Sequence, residues 1–287
     1  MTVLRYAVVD VFTDVPLQGN PVAVFLGGSR LDGEVMQRAA RELNLSETVF
    51  VLPPEEHGAD TSSDARIRIF TPWTELPFAG HPVLGAAFVL GERLAADVVR
   101  LQTGAGVIPV SLEHERGVIV FGEMDQPVPV AEPFARAGEL LRALEIERSE
   151  LPIEAYRNGP LHVYVALQSE EAVADLQPDM RALGAIDGAI GVSCFAGAGD
   201  RYKTRMFAPS VGVAEDPATG SAAGPLAVHL ARHGRIQYGQ QISIRQGAEI
   251  GRPSVLHARV EGSEERVERV LVGGSALIVA RGEYRLT

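Results

Sequence analysis

Residues 80–90 read GHPVLGAAFVL, and residues 220–230 read GSAAGPLAVHL. Each stretch begins with a glycine and a polar residue, and the rest of it is almost entirely apolar. A helix without a polar face is buried on all sides, so both stretches predict central helices covered by other elements. We expect the second helix to begin near Ser221 or Ala222, because Pro225 fits only in a first turn.

The segments that flank these two helices also occur twice. RIFTP at residues 68–72 resembles RMFAP at 205–209, GNPVAVF at 19–25 resembles NGPLHVY at 158–164, and LQTGA at 101–105 resembles IRQGA at 244–248. Together with the helix starts, the paired segments are offset by 137 to 143 residues, a drift that a few loop insertions would cause. Four matches in the same order indicate an internal duplication rather than chance similarity.

The duplication predicts an α+β fold with two similar domains. Residues 1–126 would form the N-terminal domain and residues 127–287 the C-terminal domain, and prolines at 127 and 129 favour an extended connector there. In each domain we expect a curved, mostly antiparallel sheet around the central apolar helix. We allow for the last strand, at about residues 275–287, packing back on the N-terminal domain.

Short, β-branched segments bounded by turns predict the strands of the first half. They cover residues 6–12, 22–26, 48–52, 66–70, 98–102, 107–112 and 118–123. Residues 32–43 differ, because they place Met36, Ala39, Ala40 and Leu43 at helical spacing opposite a polar face. This segment is predicted to be an outer helix that covers the sheet.

The composition is that of a globular protein that needs no disulfides. Of the 287 residues, 46% are apolar and 22% are charged, and a chain of this length can bury a large core. Cys194 is the single cysteine. One cysteine excludes an intramolecular disulfide, a metal site with several cysteines, and a racemase that sets two thiols on opposite faces of one carbon.

The charge balance makes some partners poor candidates. With 26 basic and 37 acidic residues, the formal net charge is −11, which repels nucleic acids and anionic lipid. No apolar run approaches the ~20 residues that span a bilayer, and the first residues are typical of a strand rather than a leader peptide. We therefore expect a cytoplasmic protein that binds neither nucleic acid nor membranes.

Glu47 and His81 are the first two candidates for chemistry. Glu47 stands where an apolar strand is about to be buried, and burial would raise its pKa and suit it to accept a proton. A solvent-facing or capping role is the alternative. His81 lies at the start of the first apolar helix, between Gly80 and Pro82. It is a candidate for the site or, alternatively, a histidine satisfied within the core.

The start of the second helix supplies two further candidates. Asp216 could accept a hydrogen bond from a ligand ammonium, and Ser221 could donate one to a carboxylate. An Asp-Pro turn followed by a serine N-cap is the alternative. Because a helix N-terminus favours anions, the two glycine turns together predict a carboxylate-binding cleft between the domains, against ordinary capping of each helix.

Other motifs are weaker. His229 and His233 have a spacing that can bind a metal, but no glutamate follows as in zinc peptidases, so we expect no metal. The glycine-rich stretches at 104–106 and 197–199 are not followed by the strand–helix unit of a nucleotide site. Cys194 lies in an apolar strand and is expected to be inert packing.

Taken together, these motifs resemble the PhzF-like isomerase family of phenazine biosynthesis, within the diaminopimelate-epimerase-like fold. The resemblance is carried by DVFT at 10–13, GNP at 19–21, NLSET at 44–48, ELPFAGHP at 75–82 and EDPATGSA at 215–222. It implies two domains with the active site between them and a homodimer. It also implies isomerisation without a cofactor, which in the family's founding activity converts a dihydro-hydroxyanthranilate to its keto form.

The resemblance also implies a role for each site residue. Glu47 would be the acid/base that moves a proton between ring carbons, while His81 and Asp216 would hold the hydroxyl and amino groups. The remaining positions would complete the site and bind the carboxylate: Ser46, Gly80, Gly220 and Ser221.

We therefore expect a cofactor-independent isomerase of a small, cyclic or unsaturated carboxylate. Glu47 can serve both proton transfers, because the second transfer regenerates its starting state, and the site must exclude water. Two alternatives stay open. One is a protein that binds small carboxylates without turnover, and the other is an epimerase of another acid that uses a single carboxylate.

Overall fold

The computed structural model describes residues 3–55 and 63–286. Contacts divide the chain into two compact units, one formed by Met1–Asp125 with Gly273–Thr287 and the other by Gln126–Val272. The C-terminal segment thus belongs with the first unit, where its strand Ala276–Arg285 runs antiparallel to the first strand of the chain. Among the described residues, no helix has the length and apolarity needed to cross a bilayer.

The first unit contains eight strands, two α-helices and the C-terminal strand within its described residues. Its strands are β1 (Val3–Val11), β2 (Asn20–Leu26), β3 (Glu47–Leu52), β4 (Ala65–Phe70), β5 (Glu75–Leu76), β6 (Val98–Thr103), β7 (Gly106–Glu115) and β8 (Val118–Gln126). Its helices are α1 (Gly33–Leu43) and α2 (Gly80–Leu94). Every strand predicted for the first half is present, and so are the outer and central helices.

The two helices of this unit differ in their surroundings as their sequences predict. Helix α1 begins after Asp32, whose Oδ1 accepts a hydrogen bond from the Val35 N–H at 2.8 Å, and it buries one face. Helix α2 is buried on every side from Gly80 to Gly91. At Gly85 a Cβ would lie 2.6 Å from Cγ1 of Val22, so this glycine lets the helix approach β2 closely.

The second unit repeats this plan. Its strands are β9 (Val130–Pro133), β10 (Glu154–Arg157), β11 (Leu161–Ala166), β12 (Gly191–Ala198), β13 (Arg201–Ala208), β14 (Val213–Asp216), β15 (Gln241–Gln246), β16 (Ser254–Gly262) and β17 (Val267–Gly274). The C-terminal strand of the first unit is β18 (Ala276–Arg285). The helices of the second unit are α3 (Ala137–Ala143), α4 (Glu170–Ala174), α5 (Met180–Gly184) and α6 (Gly220–Arg232). Short 3₁₀ turns lie at Gly28–Arg30, Pro209–Val211 and Ala248–Ile250.

The strand pairings reveal the duplication directly. In the first unit β2 is parallel to β3, β3 is antiparallel to β4, β4 is antiparallel to β5 and parallel to β6, and β6 is antiparallel to β7. In the second unit β11 to β16 follow the same sequence of parallel and antiparallel pairings. The short helices α3, α4 and α5 contribute to a separate apolar cluster of this unit, in which Cys194 is buried.

Helix α6 starts within one residue of its expected position near Ser221, but the expectation that Pro225 lies in the first turn is wrong. Helix α6 begins at Gly220, so Pro225 lies in its second turn rather than its first. A proline there leaves the oxygen four residues earlier, on Ser221, without its helical donor. The side chain of Asn158 replaces that donor, because its Nδ2 donates to the Ser221 oxygen at 3.0 Å. A tertiary hydrogen bond therefore accommodates a proline that the local rule excludes.

Candidate active site

Glu47 and His81 lie against each other in the first unit. Glu47 is the first residue of β3, and His81 is the second residue of α2. His81 Nε2 lies 3.3 Å from Glu47 Oε2, with 4% of the histidine side chain and 15% of the glutamate side chain exposed. Two segments that are 34 residues apart in the sequence thus bring a carboxylate and an imidazole together at the start of the central helix.

His81 is a neutral imidazole at physiological pH. Desolvation by burial lowers its pKa from 6.5 to about 3, because no water reaches the ring to stabilise a charge. A neutral ring carries a proton on one nitrogen only and can donate one hydrogen bond and accept another. The predicted location of His81 at the start of the helix is confirmed.

The other side of the imidazole is occupied by Asn20. Asn20 Nδ2 lies 3.3 Å from His81 Nδ1, and Ser46 Oγ donates to Asn20 Oδ1 at 2.9 Å. The sequence motif containing Asn20 was used only to detect the duplication and the family, so this residue was missed as a member of the site. The only signal in the sequence is a single amide at the start of an otherwise apolar segment, and the structure buries this amide completely.

In the second unit, Asp216 lies in a hydrogen-bonded turn. It ends β14 and is buried, and its Oδ2 accepts a hydrogen bond from Thr219 Oγ1 at 2.6 Å. Gln246 Nε2 donates to the Asp216 main-chain oxygen at 2.8 Å and lies 2.9 Å from Thr219 Oγ1. These contacts fix the turn that leads into α6.

Ser221 does not cap this helix. Thr219 is the N-cap residue of α6, and Ser221 is its second residue, as His81 is in α2. The buried Ser221 hydroxyl oxygen lies 3.1 Å from Nε2 of His162, whose pKa burial lowers to about 4. The alternative of a serine N-cap is therefore wrong, and His162 is a further residue that sequence analysis missed.

Three side chains donate hydrogen bonds to the main-chain carbonyl groups in the first turn of α6. Gln126 Nε2 donates to the Gly220 oxygen at 2.9 Å, Asn158 Nδ2 to that of Ser221, and Tyr164 Oη to that of Ala222 at 2.7 Å. Neither α6 nor α2 has a side-chain cap within the described part of the chain. Both first turns therefore keep the amide groups and the positive end of the dipole that suit an anion.

An ion pair next to each glycine turn is duplicated with the fold. Arg68 of β4 makes a bidentate pair with Glu75 of β5, at 2.7 and 2.6 Å, and its guanidinium lies 5.0 Å from the ring centre of Phe70. In the second unit the corresponding pair is Arg205 with Glu215, at 3.0 and 2.8 Å. The Arg205 guanidinium likewise lies 5.0 Å from the ring centre of Phe207.

The two histidines with metal-like spacing belong to a hydrogen-bonded cluster in the second unit. Glu154 Oε2 lies 3.2 Å from His229 Nδ1 and 3.0 Å from His233 Nε2. The same oxygen accepts a hydrogen bond from the Tyr156 hydroxyl at 2.7 Å, and the Arg232 guanidinium is 3.9 Å away. The ligand atoms of Glu154, His229 and His233 all lie within 4.8 Å of one another, a spacing at which they could hold a metal ion, and the Glu154 oxygen also accepts the hydrogen bond from Tyr156.

The structure places each predicted site residue at the start of a central helix, on a strand that precedes it or, for Ser46, directly before such a strand. Ser46, Glu47, Gly80 and His81 come together in the first unit, and Asp216, Gly220 and Ser221 come together in the second. Two polar clusters that follow the same structural plan thus carry different chemistry: a carboxylate–imidazole pair in one, and a hydroxyl, a carboxylate and main-chain amides in the other.

Comparisons with known proteins cover the whole chain. A family model described as "Phenazine biosynthesis-like protein" matches residues 9–282. The trans-2,3-dihydro-3-hydroxyanthranilate isomerase of Pseudomonas aeruginosa is 55% identical over 98% of this chain and 99% of its own length.

Solved structures are similar over the same extent. A PhzF-family phenazine biosynthesis protein of Bacillus anthracis superposes with a TM-score of 0.84 and 24% identity, covering 99% of this chain and 100% of that one. A predicted epimerase of Pseudomonas aeruginosa gives a TM-score of 0.81 and 32% identity, covering 98% and 99%. The first of these likenesses concerns the fold alone.

Proposed function

Because the chain belongs to the phenazine biosynthesis-like protein family and is an isomerase, we propose that it isomerises trans-2,3-dihydro-3-hydroxyanthranilate or a close analogue. Membership confirms the family resemblance and the enzyme class predicted from the motifs, and the paired topology confirms the duplicated α+β fold. The observation that carries the choice of substrate is the 55% identity, over nearly the full length of both chains, to an isomerase of that name.

In this proposal Glu47 moves the proton. Its carboxylate takes a proton from one ring carbon, the electron pair enters the π system of the ring, and the same carboxyl group delivers the proton to another carbon. Substrate and product then contain the same atoms, and no oxidant, reductant or cofactor is required. The partial exposure of Glu47 beside a buried neutral imidazole supports this role.

The other site residues bind the substrate. His81 is proposed to hold the hydroxyl group and Asp216 the amino group, while Ser46, Gly80, Gly220 and Ser221 complete the site and bind the carboxylate. The uncapped first turns of α2 and α6 support the carboxylate role, because their amide groups and helix dipoles favour an anion.

The proposal is tested by turnover of the named substrate in deuterium oxide, followed by NMR and mass spectrometry. We expect conversion to an isomer by the wild-type protein and a loss of at least ~10²–10⁴-fold in kcat for Glu47→Gln, which keeps the shape but cannot take a proton. Glu42→Gln, on the outer helix, is the matched control. Binding without conversion would favour the carboxylate-binding alternative, and inversion at one carbon would favour the epimerase.

We include a homodimer and a cytoplasmic location in the proposal. The family resemblance supports the dimer, and the acidic composition with its single cysteine is compatible with a reducing compartment. Light scattering coupled to gel filtration tests the dimer, for which a mass of twice 30.7 kDa is expected. A monomer at micromolar concentration would contradict it.

A further inference from the structure

A chain of polar side chains runs behind the Glu47–His81 pair. It begins at Ser46, continues through Asn20 and reaches the imidazole on the side away from Glu47. Asn20 is fully buried, and the pairing of its backbone with Val11 in the sheet fixes its position. Because its backbone is fixed, the amide has two possible orientations, with either its oxygen or its NH₂ group facing the imidazole.

The contacts favour one orientation of the amide. The Ser46 hydroxyl donates to Oδ1 of Asn20 at 2.9 Å, which leaves the amide NH₂ facing His81 Nδ1 at 3.3 Å. Nδ1 must then be the accepting nitrogen of the neutral ring, and the ring proton must be on Nε2. Nε2 is the nitrogen that lies 3.3 Å from Glu47 Oε2, in a geometry in which the two atoms form no hydrogen bond, so the protonated nitrogen is the one beside the Glu47 carboxyl group.

The opposite orientation is unfavourable while Glu47 is ionised. It would place the amide oxygen against a protonated Nδ1 and turn the lone pair of Nε2 towards the negative carboxylate. Ser46 would also have to redirect its hydroxyl hydrogen. The two hydrogen bonds, from the Ser46 hydroxyl to the Asn20 amide and from that amide to the His81 ring, are consistent with a ring proton on Nε2, the nitrogen beside Glu47.

We propose that Asn20 is a positioning residue that keeps the His81 proton on Nε2 and prevents Nδ1 from accepting another, so that a proton taken up by Glu47 is not passed to the imidazole. If Nδ1 were protonated, its N–H would point at the amide NH₂, two donors facing each other in a buried site. The proton therefore stays on Glu47 and returns to the substrate. This consequence for the reaction rests on the proposed function, whereas the tautomer itself does not.

The tautomer is tested directly by ¹⁵N NMR of the histidine-labelled protein without substrate. We expect the wild-type His81 ring to show a protonated Nε2 and an unprotonated Nδ1 across pH 5 to 8. Asn20→Asp replaces the NH₂ donor by an acceptor of the same shape, so it should move the proton to Nδ1 or charge the ring. Asn158→Asp, which also places an acid at a buried asparagine but in the second unit, should leave the His81 signals unchanged.

The effect on proton return is tested by turnover in deuterium oxide. For Asn20→Asp we expect kcat to fall by roughly 10- to 100-fold, the magnitude usual for a residue that orients a functional group, with little change in KM. The product should also carry more solvent deuterium than the wild-type product, an effect that a mere loss of stability would not produce. Asn20→Ser, a smaller change without added charge, should shift both quantities in the same direction.

Each possible result of these two experiments supports or contradicts the role proposed for Asn20. A wild-type ring protonated on Nδ1 overturns the inference even if no Asn20 variant folds, and so does an unchanged His81 spectrum in a folded Asn20→Asp protein. If the tautomer is as expected but the named substrate is not converted, the proposed function fails while the assignment of the ring proton stands. If turnover occurs and Asn20→Asp leaves kcat and deuterium content unchanged, the role of Asn20 in proton return is refuted.

Discussion

Asn158 donates a hydrogen bond to the main-chain oxygen of Ser221, the oxygen that Pro225 leaves without a helical donor. One buried side chain thus completes a helix that its own sequence interrupts. The bond also links β10 and β11 to the first turn of α6, because Asn158 lies between these strands. The position of a candidate substrate-binding residue therefore depends on an amide 63 residues earlier in the chain.

The first prediction concerns this bond. Asn158→Ala should lower the free energy of unfolding by about 1–3 kcal/mol, because it leaves a buried carbonyl group without a donor. The loss should be smaller in a Pro225→Ala background, where residue 225 regains an N–H for the same oxygen. Urea unfolding of the two single variants and the double variant measures this coupling. Strictly additive losses would show that the two residues do not share that oxygen.

The second prediction concerns stability at low pH. Burial lowers the pKa of His162 from 6.5 to about 4. Between these two pH values the unfolded chain therefore binds a proton at this residue and the folded protein does not. Stability from this residue is complete above pH 6.5 and is lost as the pH falls towards 4, by roughly 3 kcal/mol in all. In urea titrations from pH 7.5 to 4, His162→Gln should reduce the pH dependence over this window. An unchanged slope would mean that His162 titrates normally.

The third prediction concerns the first turn of α6. Gly220→Ala should weaken the binding of carboxylate ligands more than it lowers the melting temperature, because a Cβ would occupy space next to the amide groups of the turn. Ser221→Ala should act more mildly, by about 0.5–1.5 kcal/mol for one lost neutral hydrogen bond. Calorimetry with anthranilate-like carboxylates and thermal unfolding provide the two measurements. If both variants bind like the wild type, the turn is only a helix start.

The fourth prediction compares the two Arg–Glu pairs. Arg205 and Glu215 have side chains that are 9% and 8% exposed, whereas those of Arg68 and Glu75 are 26% and 42% exposed. Arg205→Met should therefore cost about 3–5 kcal/mol, because it leaves a buried carboxylate without its partner. Arg68→Met, the same change in the more exposed pair, should cost markedly less. Equal losses in urea unfolding would contradict the dependence on burial.

The elements of the fold could be predicted because they rest on local patterns. Two apolar helices, one amphipathic helix and the strands of the first half are each visible in a short window of sequence. The duplication was visible because both copies kept their strand–turn motifs. The place of Pro225 in the second turn of α6 was not predictable, since the hydrogen bond that accommodates it comes from Asn158, which no rule about neighbouring residues connects to Pro225.

The site was only partly predictable for a related reason. Four candidate residues could be recognised because they lie in or near short motifs with glycine and proline, where polar residues are typical of functional turns: Glu47, His81, Asp216 and Ser221. Asn20 and His162 instead lie at the start of strands that are otherwise largely apolar. Their polar groups can be assigned to the candidate site only when their hydrogen-bond partners are known. Sequence analysis thus finds polar groups within glycine and proline motifs more readily than the buried polar groups that contact them.

The duplicated Arg–Glu pair has a consequence for how this protein acquired two kinds of site. The pair and its aromatic partner hold the hairpin before each central helix, and neither includes the second helical residue, which is His81 in one copy and Ser221 in the other. That residue could therefore diverge while the Arg–Glu pair and its aromatic partner were retained in both copies. An ancestral half with a single turn could thus give rise to an imidazole in one copy and a hydroxyl in the other, so that two copies of one frame carry different polar groups.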